Sequence, residues 1–223
     1  MVTSHEFLTS LHSLLKPKRY LEIGVQYGRS LNLAVYSAQA VGVDPAPLTM
    51  ARGNQVIHPV TADDFFTYYI APEDKFDLIF IDGSHLYEDA LRDLINCEKH
   101  SRNGTVMVLD DVLPYTPEMT SRTMVPGHWT GDVWKVHDIV ANYRDDLTWL
   151  LVDTSPTGSM VICNLNPLDQ VLPNKYWHIV EDYDPEQNNW GHTQVPDHIL
   201  QRTDAVTAEI ALESIMKWRA AEQ

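Results

Sequence analysis

Two spacings of apolar residues alternate along this chain. Phe7, Leu8, Leu11, Leu14 and Leu15 recur at helical intervals within Glu6–Leu15, and Pro17 closes that helix. Tyr20-Leu21-Glu22-Ile23-Gly24-Val25 then reads as a strand entering a glycine turn. A helix is predicted from about Arg29, with Leu31, Ala34, Val35 and Ala38 on one face, followed by short strands over Ala40–Val43 and Gln55–Val60. Ala62–Ile70 reads as helix, Phe76–Ile81 as strand, Leu86–Lys99 as a helix with Tyr87, Ala90, Leu91, Leu94 and Ile95 on one side, and Thr105–Leu109 as strand. Strands alternating with helices imply βαβ units, a doubly wound, mostly parallel α/β sheet and right-handed crossovers.

The alternation breaks after Asp111. Pro114, Pro117, Pro126 and Gly127 mark a loop between Val112 and Gly131, long enough to suggest a lid over a site. A helix is predicted over Asp132–Tyr143. Leu147–Val152 and Ser159–Asn164 read as strands joined by Ser155-Pro156-Thr157-Gly158, a connection short enough for a hairpin, which places one antiparallel strand in the sheet. Residues 166–223 form a C-terminal helical extension to a domain spanning 1–165. Asp182–Pro196 is acidic and turn-rich, and Ile199–Ala220 is one long helical pattern containing Val206, Ile210, Leu212, Ile215, Met216 and Trp218. The extension is expected to pack on the sheet domain or on a second subunit of a homo-oligomer.

Composition narrows the partners. A chain of 223 residues, 44% of them hydrophobic, supports one sizeable core with an appendage. A net charge of −15 disfavours nucleic acid and anionic membranes, which are bound through clustered Lys and Arg. No apolar run approaches the roughly 20 residues that span a bilayer. The first fifteen residues lack the basic end and apolar block of a signal peptide, so the cytoplasm is the expected location. Cys97 and Cys163 sit among apolar neighbours and read as buried free thiols.

The densest chemistry lies where two strands end. Phe76–Ile81 runs into Asp82-Gly83-Ser84-His85, and the next strand runs into Asp110-Asp111. In a parallel sheet these tips are neighbours at the carboxyl edge, where open α/β folds bind ligands. Three clustered carboxylates repel and raise one another's pKa, a penalty that a divalent cation removes. Oxygen-rich sets of this kind suit Mg²⁺ or Mn²⁺, and a nearby imidazole suits proton abstraction. Alternatively, each acid is an ordinary strand-end residue and His85 a helix cap or a satisfied buried histidine.

Glu22-x-Gly24-x-x-x-Gly28-x-Ser30 links a strand to a helix. Its glycines allow a tight turn and close backbone approach, but the Gly-x-Gly-x-x-Gly spacing of a dinucleotide loop is absent, which counts against a nicotinamide-dependent oxidoreductase. Glu22 also suits a cationic ligand group better than a phosphate. Asp44, at the end of the second strand, either accepts both hydroxyls of a ribose or caps the turn before Pro45. Asp63 either caps a helix or touches an adenine.

Taken together, Glu22-x-Gly24-x-x-x-Gly28, Asp44, Asp63 and Ile81-Asp82-Gly83 resemble the class I S-adenosylmethionine-dependent methyltransferases over about residues 18–165. The resemblance implies a seven-stranded, Rossmann-like sheet whose last hairpin is reversed. It also implies S-adenosylmethionine as cofactor, with Glu22 and Gly24 near its methionine part, Asp44 on the ribose, and Ala62 and Asp63 near the adenine. Asp82-Gly83-Ser84-His85 with Asp110-Asp111 resembles, more narrowly, the metal-dependent O-methyltransferases that tailor macrolide sugars. That likeness implies Mg²⁺ on Asp82, Asp110 and Asp111, and His85 as general base. Some relatives carry an acidic base two residues after the first Asp, where this chain has Ser84. The implied reaction is methyl transfer to a hydroxyl of a small molecule, a sugar or, as a close variant, a catechol or phenol. A non-catalytic relative that only binds the cofactor is the remaining alternative, disfavoured by the three acids. Trp129 and Trp134 offer faces for an acceptor ring, or serve in the core. His128 is a spare base or substrate contact, and Trp177, His178, Trp190 and His192 could complete the pocket.

Overall fold

The computed structural model describes residues 1–184 and 194–221. Seven strands form one sheet in the order β3-β2-β1-β4-β5-β7-β6: β1 (Arg19–Ile23), β2 (Gln39–Val43), β3 (Gln55–His58), β4 (Leu78–Ile81), β5 (Val106–Asp110), β6 (Thr148–Val152) and β7 (Ser159–Cys163). The first five are parallel; β7 runs antiparallel to both β5 and β6. The reversed hairpin therefore stands where the short 155–158 connection places it.

Period-two alternation explains the layers. Leu21, Ile23, Ile79, Ile81, Met107 and Leu109 point to one face, where they meet α2 (Ala62–Tyr68), α3 (Tyr87–Lys99), α4 (Lys135–Tyr143) and α5 (Val171–Tyr183). Tyr20, Leu78, Phe80, Val106 and Val108 point to the other, where they meet α1 (Ser4–Leu15) and α7 (Ala208–Ala221). Both faces are covered, so the strands are near-continuously apolar. Thr3 and Glu6 cap α1 reciprocally, each side chain accepting from the other residue's backbone amide, and Lys16 ends it in a left-handed conformation before Pro17. Cys97 and Cys163 are both buried.

Two predicted helices are corrected. The helix expected from Arg29 is only a 3₁₀ turn, Leu31–Leu33. The chain must return from the tip of β1 to the start of β2, about 17 Å for a five-residue strand. An α-helix rising about 1.5 Å per residue would need about 11 residues for that span, more than separate Arg29 from Gln39. The long C-terminal helix is likewise interrupted: α6 (Asp197–Leu200) and α7 are separated by a stretch in which Arg202 takes φ 53° and Val206 bridges Val152 beside β6. Val206 gains backbone hydrogen bonds with Leu151 and Asp153 (2.9 Å each) that continuing the helix would forfeit. The extension thus packs on the sheet domain itself, α5 on one face and α7 on the other. Residues 185–193, most of the turn-rich stretch, lie outside the described residues, as do Trp190 and His192.

His12 is fully buried against the edge of Tyr20 (ring centroids 4.6 Å apart), and neither ring nitrogen has a hydrogen-bond partner among the described residues. Burial lowers its pKa from 6.5 to about 4. The unfolded chain therefore binds the proton more readily, and the stability His12 contributes is lost as pH falls from about 6.5 towards 4. Glu22 and Asp93, each pushed up to about 8 by burial, act with the opposite sign, being more stable protonated, so the His12 contribution must be read as a difference. A His12→Leu variant should gain on the natural protein as pH is lowered through this window, by up to roughly 3 kcal/mol at its acid end. Equal pH slopes in chemical denaturation would contradict this.

Candidate active site

The strand order reverses direction between β1 and β4, and a cleft of about 940 Å³ opens at the carboxyl ends of these strands. Its walls carry Gly24 and Ser30 from the glycine loop, Asp44 from the tip of β2, Ala62 and Asp63 from α2, and Asp82 and His85 from the segment after β4.

The glycine loop is shaped by two acids. Asp44 Oδ2 accepts from the amides of Val25 (3.0 Å) and Gln26 (2.7 Å), while Oδ1 accepts from Ala46 (2.7 Å). Gly28 turns the loop with φ 70°. Glu22 is fully buried beneath the loop and accepts from Tyr20 Oη (2.6 Å) and Ser30 Oγ (2.8 Å); burial outweighs those hydrogen bonds and raises its pKa to about 8. Glu22 therefore lies behind the cleft wall, holding Ser30. At α2 the cap is Thr61, whose Oγ1 accepts from Asp64, so Asp63 is left in the first turn facing the cleft. Asp63 pairs with Arg92 of α3 (3.1 Å).

The strand tips bring the acids together. One ligand atom each of Asp82, His85 and Asp111 lies within 4.8 Å of the others. Asp111 adopts φ 65°, a conformation uncommon outside glycine, and its Oδ2 lies 3.1 Å from His85 Nε2. His85 Nδ1 lies 2.8 Å from the carbonyl oxygen of Trp129. A carbonyl only accepts, so Nδ1 carries the proton and, in the neutral ring, Nε2 presents its lone pair to the acids. Burial lowers the pKa of His85, keeping the ring neutral near pH 7. Asp110 stands apart from this trio: Ser159, its partner across the β5–β7 pair, donates to Oδ1 (2.9 Å) and in turn meets Thr154. Burial, then the charge of Asp111, raises Asp110 to about 7; burial raises Asp111 to about 7; burial and the charges of Asp111 and Asp110 raise Asp82 well above the usual range. Among the described residues no Lys or Arg pairs with any of the three. The donor set therefore fits a hard divalent cation, which would supply the missing positive charge.

The 112–131 loop is ordered against this site. Thr130 and Gly131 donate to the Met119 carbonyl (3.0 and 3.1 Å), and Arg122 pairs with Glu88 (2.5 Å) and Asp132 (2.7 Å). Trp129 stacks on His85 (centroids 4.6 Å, 24° between planes), so its ring supports the imidazole. Trp134 is buried in the core, and His128 is exposed. Trp177 and His178 are largely exposed on α5 and do not line the cleft. Sequence reasoning passed over His5, Arg92 and Asp93, which also line it. Asp93 is 5% exposed, and burial together with Asp89 and Asp63 pushes it up to about 8. An acid flanking the otherwise apolar stripe of α3 was the available signal.

Residues 21–112 match the family model described as a methyltransferase domain. That stretch is similar to a methyltransferase domain, and the sheet around it has the Rossmann-like methyltransferase fold. The match covers the glycine loop and all the strand-tip acids. A search of curated proteins returned no match. Among solved structures, the chain is similar to the O-methyltransferase TomG of Streptomyces achromogenes, involved in tomaymycin synthesis and solved with S-adenosylmethionine (22% identity, covering 71% of this chain and 78% of TomG, TM-score 0.56). It is also similar to cofactor-bound Rv0187 from MTB (19%, 74% and 83%, 0.57) and to an O-methyltransferase of Bacillus cereus in complex with SAH (17%, 71% and 78%, 0.50). At these identities the likeness establishes the shared fold. No helix among the described residues is long and apolar enough to cross a membrane.

Two glycines hold the site at contact distance. A Cβ on Gly24 (φ 90°) would lie 1.8 Å from the Asp82 carbonyl oxygen, and one on Gly131 (φ 56°) 1.7 Å from that of His85. Gly24→Ala and Gly131→Ala should each destabilise the fold by at least about 2 kcal/mol, combining left-handed strain with steric overlap. Gly53→Ala, also left-handed but with open space around it, should cost only about 1 kcal/mol. Equal losses at all three positions in urea unfolding would contradict the close-approach argument.

Proposed function

We propose that this chain is an S-adenosylmethionine-dependent O-methyltransferase, assisted by a divalent cation, that acts on a hydroxyl of a small molecule such as a sugar. The observation that carries the reading is the meeting of Asp82, His85 and Asp111 beside the cleft at the β1/β4 switch point. S-adenosylmethionine, when bound, supplies an electrophilic sulfonium methyl group. A divalent cation such as Mg²⁺ or Mn²⁺, when bound, supplies positive charge that neutralises the acids and acidifies a hydroxyl.

Gly24, Ser30, Asp44, Ala62 and Asp63 form the cofactor wall. Asp44 Oδ1, which accepts from one backbone amide, retains acceptor capacity for a ribose hydroxyl, whereas Oδ2 is already engaged by two. Gly28 shapes the turn, and Glu22 positions Ser30. Asp82 and Asp111 would hold the cation, with Asp110 close behind, its charge adding to the field while Ser159 fixes its carboxylate. His85 Nε2 accepts the proton of the acceptor hydroxyl; the Trp129 carbonyl fixes the tautomer that makes Nε2 the basic atom. Held along Gly24, Ser30, Asp44, Ala62 and Asp63, S-adenosylmethionine would supply the methyl group to the deprotonated hydroxyl oxygen, with S-adenosylhomocysteine as the neutral thioether by-product. The 112–131 loop, braced by Arg122, holds Trp129 against the imidazole and shields it from water.

S-adenosylhomocysteine at about 100 times its Kd should raise Tm by roughly 5–10 °C for a chain of this size. Mg²⁺ should add a further rise that EDTA reverses. Asp111→Asn should abolish the Mg²⁺ increment and metal-dependent turnover while sparing the S-adenosylhomocysteine shift. His85→Ala should lower turnover by about 10²–10⁴-fold with both shifts intact. Normal turnover by His85→Ala would remove it as the base, and absence of any shift with S-adenosylhomocysteine would remove the cofactor assignment. Turnover assays should offer sugar and catechol acceptors side by side.

A further inference from the structure

We propose that His137, Asp138 and His198 form a separate Zn²⁺ site that fastens the C-terminal extension to the sheet domain. His137 and Asp138 lie in the first turns of α4, and His198 lies on α6, beyond the 185–193 stretch. One ligand atom from each of the three lies within 4.8 Å of the others. None of them belongs to the cleft or to the strand-tip acids.

The second observation is an orphaned nitrogen. His137 is 7% exposed, and its Nδ1 is buried with no hydrogen-bond partner among the described residues. Asp138 Oδ1 lies 3.2 Å away, near enough for an ion pair but outside hydrogen-bond geometry. A buried polar atom left unmatched costs about 1–3 kcal/mol, so it calls for an explanation. The surroundings suit a metal better than a proton donor. The His198 ring centroid is 6.2 Å from that of His137, and Trp149 of β6 packs edge-on against His137 at 4.7 Å, walling one side with an apolar surface.

Two imidazoles and one carboxylate match a zinc site with an open fourth position, and they suit Zn²⁺ far better than Mg²⁺, which prefers oxygen ligands. Bonds of about 2.0–2.2 Å bring tetrahedral ligand atoms to about 3.4 Å from one another. The His137–Asp138 pair is already at that spacing. Closing the remainder takes a shift of about 1 Å, which a side-chain rotation of the partly exposed His198 supplies. Bound zinc would tie α6 to α4, next to the point where Arg202 bonds the carbonyls of Leu113 (2.5 Å) and Pro156 (2.6 Å) behind the Asp110-Asp111 tip.

The test uses the full chain, stripped with EDTA and titrated calorimetrically with Zn²⁺, with cobalt spectroscopy in parallel. To silence the strand-tip acids, the background is Asp82→Asn/Asp111→Asn. That background should still bind Zn²⁺, and Mg²⁺ in excess should not displace it. Adding His198→Ala should weaken zinc binding by more than about tenfold, the low end of what losing even a supporting hydrogen bond costs a metal site. Cofactor binding, read by the S-adenosylhomocysteine shift, should be unchanged. Undiminished zinc affinity after His198→Ala would overturn the proposal. So would the absence, in the background protein, of the intense visible absorption of tetrahedral Co²⁺, a measurement that does not require the His198 variant to fold.

Discussion

Burying like charges side by side is the constraint on which this structure turns. Asp82 ends β4, Asp110 and Asp111 end β5, and parallel register makes the two tips adjacent. Burial drives all three carboxyls above their ordinary range, and among the described residues no Lys or Arg compensates. A fold does not gain stability from such an arrangement. It is sustained by the apolar layers on both sides of the sheet and becomes favourable when positive charge enters. The histidine beside the acids is held neutral by the same burial, so the conditions that favour a cation also leave the imidazole unprotonated.

The scaffold around this cluster works by close approach. Gly24 brings the glycine loop against the Asp82 backbone, and Gly131 brings the end of the 112–131 loop against the His85 backbone. The two halves of the cleft are therefore registered through main-chain contact, which tolerates no side chain. The C-terminal extension braces the same region from behind. Arg202 donates to the carbonyls of Leu113, Thr154 and Pro156, linking the segment after β5 to the β6–β7 hairpin. An extension set apart from the sheet by composition is thus tied into the support of its active edge.

Much of this was legible in the sequence because strands and βα tips carry strong local signals. The alternation of Leu21 and Ile23 with Tyr20, the stripe from Tyr87 to Ile95, and the short 155–158 turn each correspond to observed elements. Asp82 and Asp111 lie together beside His85 as strand-end positions imply. What escaped was decided by distance in space. The stretch after Arg29 has a helical pattern, but the span back to β2 is too long for so few helical residues. Val206 left a helical pattern because a bridge to Val152 was available. Asp110 and Asp111 look equivalent in sequence, yet the left-handed turn at Asp111 sends only that side chain to His85, and strand pairing gives Asp110 to Ser159. Trp129 looked free to stack on a ligand because nothing in sequence placed it over His85.

The central claim, that a divalent cation occupies the cluster between the β4 and β5 tips, is most directly tested by electron paramagnetic resonance of Mn²⁺ titrated into the natural protein and into Asp82→Asn. The account predicts a bound Mn²⁺ signal that Mg²⁺ displaces and that disappears in the variant. Mn²⁺ binding of equal strength in the two proteins would contradict it.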